Sequence, residues 1–390
     1  MCIKTWYRNQ YVVNQKIKII RTVTVSQSVS FLMPVIEEMW RKGFEVVVVS
    51  SPGIELEILK SMGVKVWGVP MKRRISPLDD LKSLWHLIQV FQKEKPQMVH
   101  SMTPKAGLLC MLAAWLTRVP RRVHTFTGLV WTATIGLSRK ILMFTDWLTC
   151  TCATHIIPEG QGVEVDLRRY ITKKPMKVLG HGNVCGVDMV RFSRRPEVMC
   201  KANDLRKGEL FTFVFVGRLV GDKGINELVA AFERLCHEYY NVRLILVGEQ
   251  EVDLDPLRLE TMRAIRENTL IEVVGAQFGD DLLAYYAASD CLVFPSYREG
   301  FPNVVLEAGA MGLPSIVTDI NGSREIIVDG QNGLIIPVKD VNALYDAMEC
   351  LLLDEEQTQR LAARARSFIE ARFEQSFVMD CLCKFYDEIL

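Results

Sequence analysis

A chain of 390 residues exceeds one ordinary hydrophobic core, so two domains of roughly 150–200 residues are expected. The longest apolar run, residues 106–116, falls short of the roughly 18–20 residues that a membrane span needs, which excludes an integral membrane class on sequence grounds. The formal net charge of +1 hides an asymmetry: residues 1–195 carry 29 Lys and Arg against 13 Asp and Glu, and residues 196–390 carry 18 against 33.

Residues 1–15 (MCIKTWYRNQYVVNQ) lack the apolar block of a secretory signal. Residues 16–25 read as a first strand, and 26–43 as a loop and amphipathic helix stopping at Gly43. FEVVVVS (44–50) is a continuous apolar strand, the pattern expected where helices cover both faces of a parallel sheet. The alternation continues as helix 54–62, strand 64–69, helix 78–93, strand 97–101, helix 104–117 and strand 121–126. Helix 137–150, strand 154–158, helix 160–170 and strand 176–180 complete the first half. GHGNVCGVDMVRFSRRPE (180–197) breaks the rhythm with glycines, arginines and a proline and reads as a linker. A second series of strands follows at 209–217, 242–248, 270–275, 291–296, 314–318 and 333–337, then helices 340–353, 356–371 and 376–389. The expectation is an α/β protein with two doubly wound Rossmann-like domains, 1–195 and 196–375, whose parallel sheets face a central cleft. The apolar face of the last helix (Phe377, Met379, Cys381, Leu382, Phe385, Ile389) suits packing of 376–390 back on the first domain.

Candidate chemistry concentrates in the second half. In residues 290–325 an apolar strand turns through Tyr297, Arg298, Glu299 and Gly300, and Pro302 opens a helix that stops at Gly312 before Pro314. A helix N-terminus behind a glycine offers backbone N–H groups and a positive dipole end to an anion such as a diphosphate. Glu299 and Glu307 flank that end with Glu-x7-Glu spacing. Acids there repel phosphate, so hydroxyls of a sugar or ribose are their natural partners. GRLVGDKG (Gly217 to Gly224) follows the first strand of this domain, and its Arg218 and Lys223 supply two cations that can neutralise a diphosphate and stabilise it as a leaving group.

GRLVGDKG and YREGFPNVVLEAGAMGLPSIVTDINGSREIIVDGQNGLIIP resemble the donor-binding half of retaining glycosyltransferases of family 4, which share the two-domain GT-B fold. HSMTPKAGLL, RVPRRVHTFTGLVW and GHGNVCGVDMVRF resemble the first half of members that build capsule, O-antigen and glycan chains on polyprenyl diphosphate lipids. The resemblance spans roughly residues 16–390. It implies a nucleotide-diphosphate sugar as donor, UDP favoured, and neither metal nor other cofactor. It further implies that Arg218 and Lys223 hold the diphosphate and that Glu307 holds the ribose. Glu299, Gly300, Phe301, Pro302, Asn303 and Val304 would then face the transferred sugar and its phosphate. His124, at a first-domain strand end, matches the cleft histidine that hydrogen-bonds the donor sugar; Lys105 is a candidate for the acceptor side, and His100 a lesser one. Ser26, Gln27 and Ser28 stand where many relatives carry a Gly-Gly pair.

The resulting expectation is retaining transfer of a hexose or N-acetylhexosamine-type sugar to a lipid-linked saccharide. Front-face attack with the leaving diphosphate taking the acceptor proton fits, since no carboxylate is placed as in double-displacement glycosidases. Rival readings are an epimerase of the same fold, a nucleotide-sugar-binding subunit without turnover and, last, a dehydrogenase, for which Gly180-x-Gly182 makes no proper dinucleotide turn. Asp253-Leu254-Asp255 matches the D-x-D metal pattern of another glycosyltransferase fold by chance. All seven tryptophans, from Trp6 to Trp147, lie in the basic half. Trp with Lys and Arg suits an anionic membrane surface, so cytoplasmic, peripheral association at the inner face of the membrane is expected, with no nucleic-acid partner. Eleven cysteines, an odd number at irregular spacing, fit reduced thiols in that compartment. The C-x-C pairs Cys150/Cys152 and Cys381/Cys383 lack the neighbours a zinc site wants.

Overall fold

The computed structural model describes residues 16–72, 74, 76–251 and 255–390. In the first half, β1 (Lys18–Thr22), β2 (Glu45–Ser50), β3 (Lys65–Gly68), β4 (Met98–Met102), β5 (Arg121–Phe126) and β6 (His155–Pro158) form a parallel sheet of order β3-β2-β1-β4-β5-β6. In the second half, β7 (Phe211–Val216), β8 (Val242–Val247), β9 (Ile271–Gly275), β10 (Cys291–Phe294), β11 (Ser315–Thr318) and β12 (Gly333–Ile336) repeat the plan as β12-β11-β10-β7-β8-β9. The crossovers pass through helical or turn segments, so helices cover the sheet faces, and the central strands are largely apolar. Val47, Val48 and Val49 of β2, and Phe213, Val214 and Phe215 of β7, are wholly buried. Strand order reverses between β7 and β10, which run side by side with Leu292 opposite Val214. Loops leaving the carboxyl ends of those strands therefore emerge next to each other, which is where an open sheet binds ligands.

Packing divides the chain into two compact units. The first takes residues up to Thr125 with Leu148–His155 and Asp387–Leu390; the second takes Phe126–Trp147 and Ile156–Tyr386. The last turn of the helix Gln375–Ile389 joins the first unit through a Lys42–Asp387 ion pair at 3.4 Å and a hydrogen bond from Arg121 to the Ile389 carbonyl. On that helix the buried positions are Val378, Met379, Leu382, Cys383, Phe385 and Tyr386, whereas Phe377 is exposed.

Two sequence expectations need correction. Residues 176–180 form no strand: Pro175 enters without an N–H, and although the Lys177 N–H donates to the Ile156 carbonyl at 3.2 Å no strand develops beside β6. Residues 180–197 are not a free linker. Val187 N donates to Phe373 O at 2.8 Å and Val187 O accepts from Gln375 N at 3.0 Å. The Arg366 guanidinium donates to the carbonyls of Met189 and Phe192, each at 2.7 Å. Within the loop Gly182 and Gly186 allow close packing, Arg194 donates to the Met311 carbonyl at 2.9 Å and Arg195 pairs with Asp280 at 2.7 Å.

Candidate functional site

The loop after β7 and the loop after β10 are stitched together within the second unit. Tyr297 N donates to Asp222 O at 2.9 Å, and Arg298 Nη2 donates to Asp222 Oδ2 at 2.8 Å. Gly224 is required at the end of the first loop: its φ is +74°, and an added Cβ would lie 2.2 Å from the Pro295 carbonyl oxygen. This stitching brings Lys223 Nζ onto Glu299 Oε1 as an ion pair, each side chain 16 % exposed. Ser296 Oγ donates to the same oxygen at 2.7 Å. Arg218 lies further out; its side chain is 43 % exposed and pairs with Glu251 at 2.8 Å.

Pro302 caps the helix Asn303–Ala310, which ends in a left-handed Gly312. Proline is thus the cap rather than the first helical residue, a shift of one position from the sequence reading. Asn303 and Val304, both half-buried, begin the turn whose N–H groups lack helical acceptors. Phe301 is buried against Phe373, ring centroids 5.3 Å apart. One and a half turns in, Glu307 Oε2 accepts from the buried Tyr286 hydroxyl at 3.0 Å. Burial pushes the Glu307 carboxyl up to about 7, and the Tyr286 hydrogen bond and the Arg191 charge oppose that rise.

Gly300 is closely hemmed in as well. An added Cβ would lie 2.5 Å from Glu159 Oε2 and 2.6 Å from the Thr127 carbonyl oxygen. Glu159 is absent from the sequence expectations. The signal for it was present: an acid at the carboxyl end of β6, followed directly by a glycine.

In the first unit His124 is 1 % exposed, with Nδ1 2.8 Å from Ser101 Oγ. Burial lowers its pKa to about 3, so the ring is neutral at physiological pH. His100 is likewise buried, 2.7 Å from Thr125 Oγ1. Lys105 Nζ bonds Asp80 Oδ1 at 2.8 Å and the Arg74 carbonyl. Ser26 Oγ accepts from Leu56 N at 3.1 Å, so this serine anchors the start of the helix Ile54–Ser61.

Asp253 and Leu254 of the D-x-D match lie outside the described residues. Asp255 Oδ2 accepts from Asp222 N at 2.5 Å and so braces the β7 loop. Among the described residues no group of three or more His, Cys, Asp or Glu is placed to hold a metal ion, and no helix is long and apolar enough to cross a membrane.

Residues 201–368 match the family described as Glycosyl transferases group 1, and residues 30–179 the Glycosyl transferase 4-like domain. The chain is 32 % identical to the capsular polysaccharide biosynthesis glycosyltransferase CapM of Staphylococcus aureus, over 96 % of this chain and 97 % of that one. It is 29 % identical, over 73 % and 74 % of the two chains, to an Escherichia coli UDP-Gal:alpha-D-GlcNAc-diphosphoundecaprenol alpha-1,3-galactosyltransferase. Its fold is similar to that of Anabaena HepE in complex with UDP, with a TM-score of 0.79 at 18 % identity, covering 96 % of this chain and 100 % of that one.

Proposed function

The chain belongs to the group 1 glycosyl transferases and has the GT-B fold, and from that premise we propose that it moves a hexose or N-acetylhexosamine-type sugar from a nucleotide diphosphate, UDP in the first instance, to a polyprenyl-diphosphate-linked saccharide, with retention of anomeric configuration. The observation that carries the donor half is the meeting of Lys223, Glu299 and the start of the helix Asn303–Ala310 at the β7/β10 reversal. Lys223 and Arg218, each paired with an acid, exchange those partners for the diphosphate oxygens. The helix N-terminus adds its dipole, so the leaving group is stabilised without a metal. Glu299, released by Lys223, turns to hydroxyls of the transferred sugar. Neutral His124 is a hydrogen-bond donor to that sugar rather than a general acid. The relatives' names support an acceptor on a lipid diphosphate.

The test is incubation of the full chain with a panel of UDP-sugars and a synthetic polyprenyl-diphosphate N-acetylhexosamine, with and without EDTA. Product linkage is read by NMR. An α-linked product from an α-donor, insensitive to EDTA, is expected. An inverted linkage, or loss of activity in EDTA that added metal restores, overturns the mechanism. An epimerised donor formed without acceptor replaces transfer by epimerisation.

Glu307 gives a pH prediction. A ribose hydroxyl donates to the ionised carboxylate, and with a pKa of about 7 that form is lost as pH falls. Affinity for an intact UDP-sugar, whose phosphates do not titrate in this range, is expected to be about tenfold weaker at pH 6 than on its plateau above pH 8. Glu307→Gln should remove the slope; calorimetric titration across pH reads it, and an unchanged slope in that variant assigns the titration elsewhere.

For the membrane partner, the helix Gly136–Cys152 and its entry expose Ile135, Leu137, Ile141, Phe144 and Trp147, with Phe144 and Trp147 stacked at 5.6 Å. Arg139 and Lys140 lie among them, so apolar insertion is combined with attraction to anionic headgroups. Ile141→Ser with Phe144→Ser should lower binding to vesicles containing anionic lipid by about tenfold or more, since each deleted side chain removes roughly 1.5–3 kcal/mol of burial. Equal sedimentation with neutral and anionic vesicles at all salt concentrations would remove this surface from the proposal.

A further inference from the structure

Glu159 follows β6 directly, and its backbone is fixed on both sides. Its N–H donates to Phe126 O at 3.0 Å and its carbonyl accepts from Asn183 N at 2.8 Å. The backbone position is therefore fixed, the residue is 5 % exposed, and Oε2 lies against Gly300. Two other carboxylates lie close by, and both are satisfied. Glu299 accepts from Lys223 and Ser296, and Glu325 accepts from the N–H groups of Gln161 at 2.6 Å and Gly162 at 3.0 Å. Among the described residues the Glu159 carboxyl has no hydrogen bond and no ion pair.

A carboxyl taken this far out of water without a partner is costly, and the arrangement decides which partner removes the cost. A phosphate is excluded by the neighbouring acids. An apolar group would leave both oxygens unsatisfied. A hydroxyl beside the Glu299–Gly300 peptide satisfies them. We propose that Glu159 is a specificity-determining residue for the transferred sugar: its carboxyl, standing against Gly300 beside Glu299, hydrogen-bonds a hydroxyl of the hexose that the donor diphosphate carries. The assignment rests on the donor reading above.

Burial first, and then the Glu299 and Glu325 charges, raise the Glu159 carboxyl well above the usual carboxylate range. The other titratable group facing it, the Cys185 thiol, is pushed up to about 12 by burial and is neutral. That rise favours the protonated carboxyl, which has one O–H to give and a carbonyl oxygen to accept. It engages a single hydroxyl in both senses.

That state separates two substitutions. Glu159→Gln keeps a donor and an acceptor without charge, whereas Glu159→Ala keeps neither. For the full chain, we measure UDP affinity, donor and acceptor KM, kcat, and the ratio of kcat/KM between the preferred UDP-hexose and its epimers. Glu159→Ala is expected to lower kcat/KM for the preferred donor by roughly ten- to a hundredfold and to flatten the epimer ratio. UDP affinity and acceptor KM should stay within about twofold of wild type. Glu159→Gln should stay within about threefold of wild type throughout.

An unchanged epimer ratio in folded Glu159→Ala, a parallel loss of UDP binding, or a change confined to acceptor KM each overturns the assignment. If wild type itself binds UDP but prefers no UDP-hexose, the donor reading fails, and this assignment with it. If wild type discriminates and Glu159→Ala discriminates equally, only the role of Glu159 is lost.

Discussion

Lys223→Ala is expected to lower turnover by about 10²–10³-fold, the usual effect of removing one electrostatic donor from a developing negative charge. The reason lies in how the side chain is held. Lys223 is only 16 % exposed, lies over the Phe294 ring at 5.4 Å and pairs with an equally covered Glu299. Low local dielectric makes its charge worth more to a leaving diphosphate than the same charge in water. Removing it also leaves Glu299 with Ser296 as its neutral partner and a net negative charge where the phosphates must sit. Arg218, at 43 % exposure and 2.8 Å from Glu251, is more solvated, so Arg218→Ala should cost about tenfold. Lys223→Arg should restore part of the loss. Steady-state kcat with the true donor, beside a melting curve showing an intact fold, decides the matter; near-wild-type turnover in Lys223→Ala would remove the leaving-group mechanism.

Gly300→Ala should be nearly as severe, for steric rather than electrostatic reasons. The new methyl would meet Glu159 Oε2 at 2.5 Å and the Thr127 carbonyl oxygen at 2.6 Å. Glu159 has a side chain that can rotate, but a backbone carbonyl does not, so the loop carrying Glu299 must move. Overpacking of this kind costs about 1–3 kcal/mol, and displacement of a reacting group by 1 Å costs roughly 10²-fold in rate. The double variant Gly300→Ala with Glu159→Ala should therefore stay well below Glu159→Ala alone, because the Thr127 clash persists. Gly279→Ala is the control: at φ +57° with nothing within 4 Å of its new Cβ, it strains the backbone without meeting any site residue and should lower the melting temperature while sparing turnover. Recovery in the double variant would show that Glu159 alone confines the loop.

Period and punctuation made most of the architecture readable. Runs such as FEVVVVS and VRLILVG have no amphipathic alternation and so belong to strands covered on both faces. Glycines and prolines beside them placed the turns to within a residue or two. Strand 176–180 failed because Pro175 and the half-exposed residues after it satisfy the composition of a strand without a neighbour to pair with. The loop 180–197 failed in the opposite sense. Its polarity described a linker, whereas Arg366, more than 170 residues later, gathers its carbonyls.

The same division runs through the site. Local chemistry alone determined the Glu-x7-Glu helix, the Arg218 and Lys223 loop and the basic and acidic halves of the chain, because each is a matter of residue type at short spacing. Pairwise placement was decided only in three dimensions. The β7/β10 reversal sets Lys223 on Glu299, 76 residues apart in sequence, and a buried tyrosine from another helix shapes the titration of Glu307. The backbone of β6 delivers Glu159 to Gly300 across 141 residues of chain. A carboxyl's partners and its burial are properties of what surrounds it, and those surroundings are assembled by the sheet.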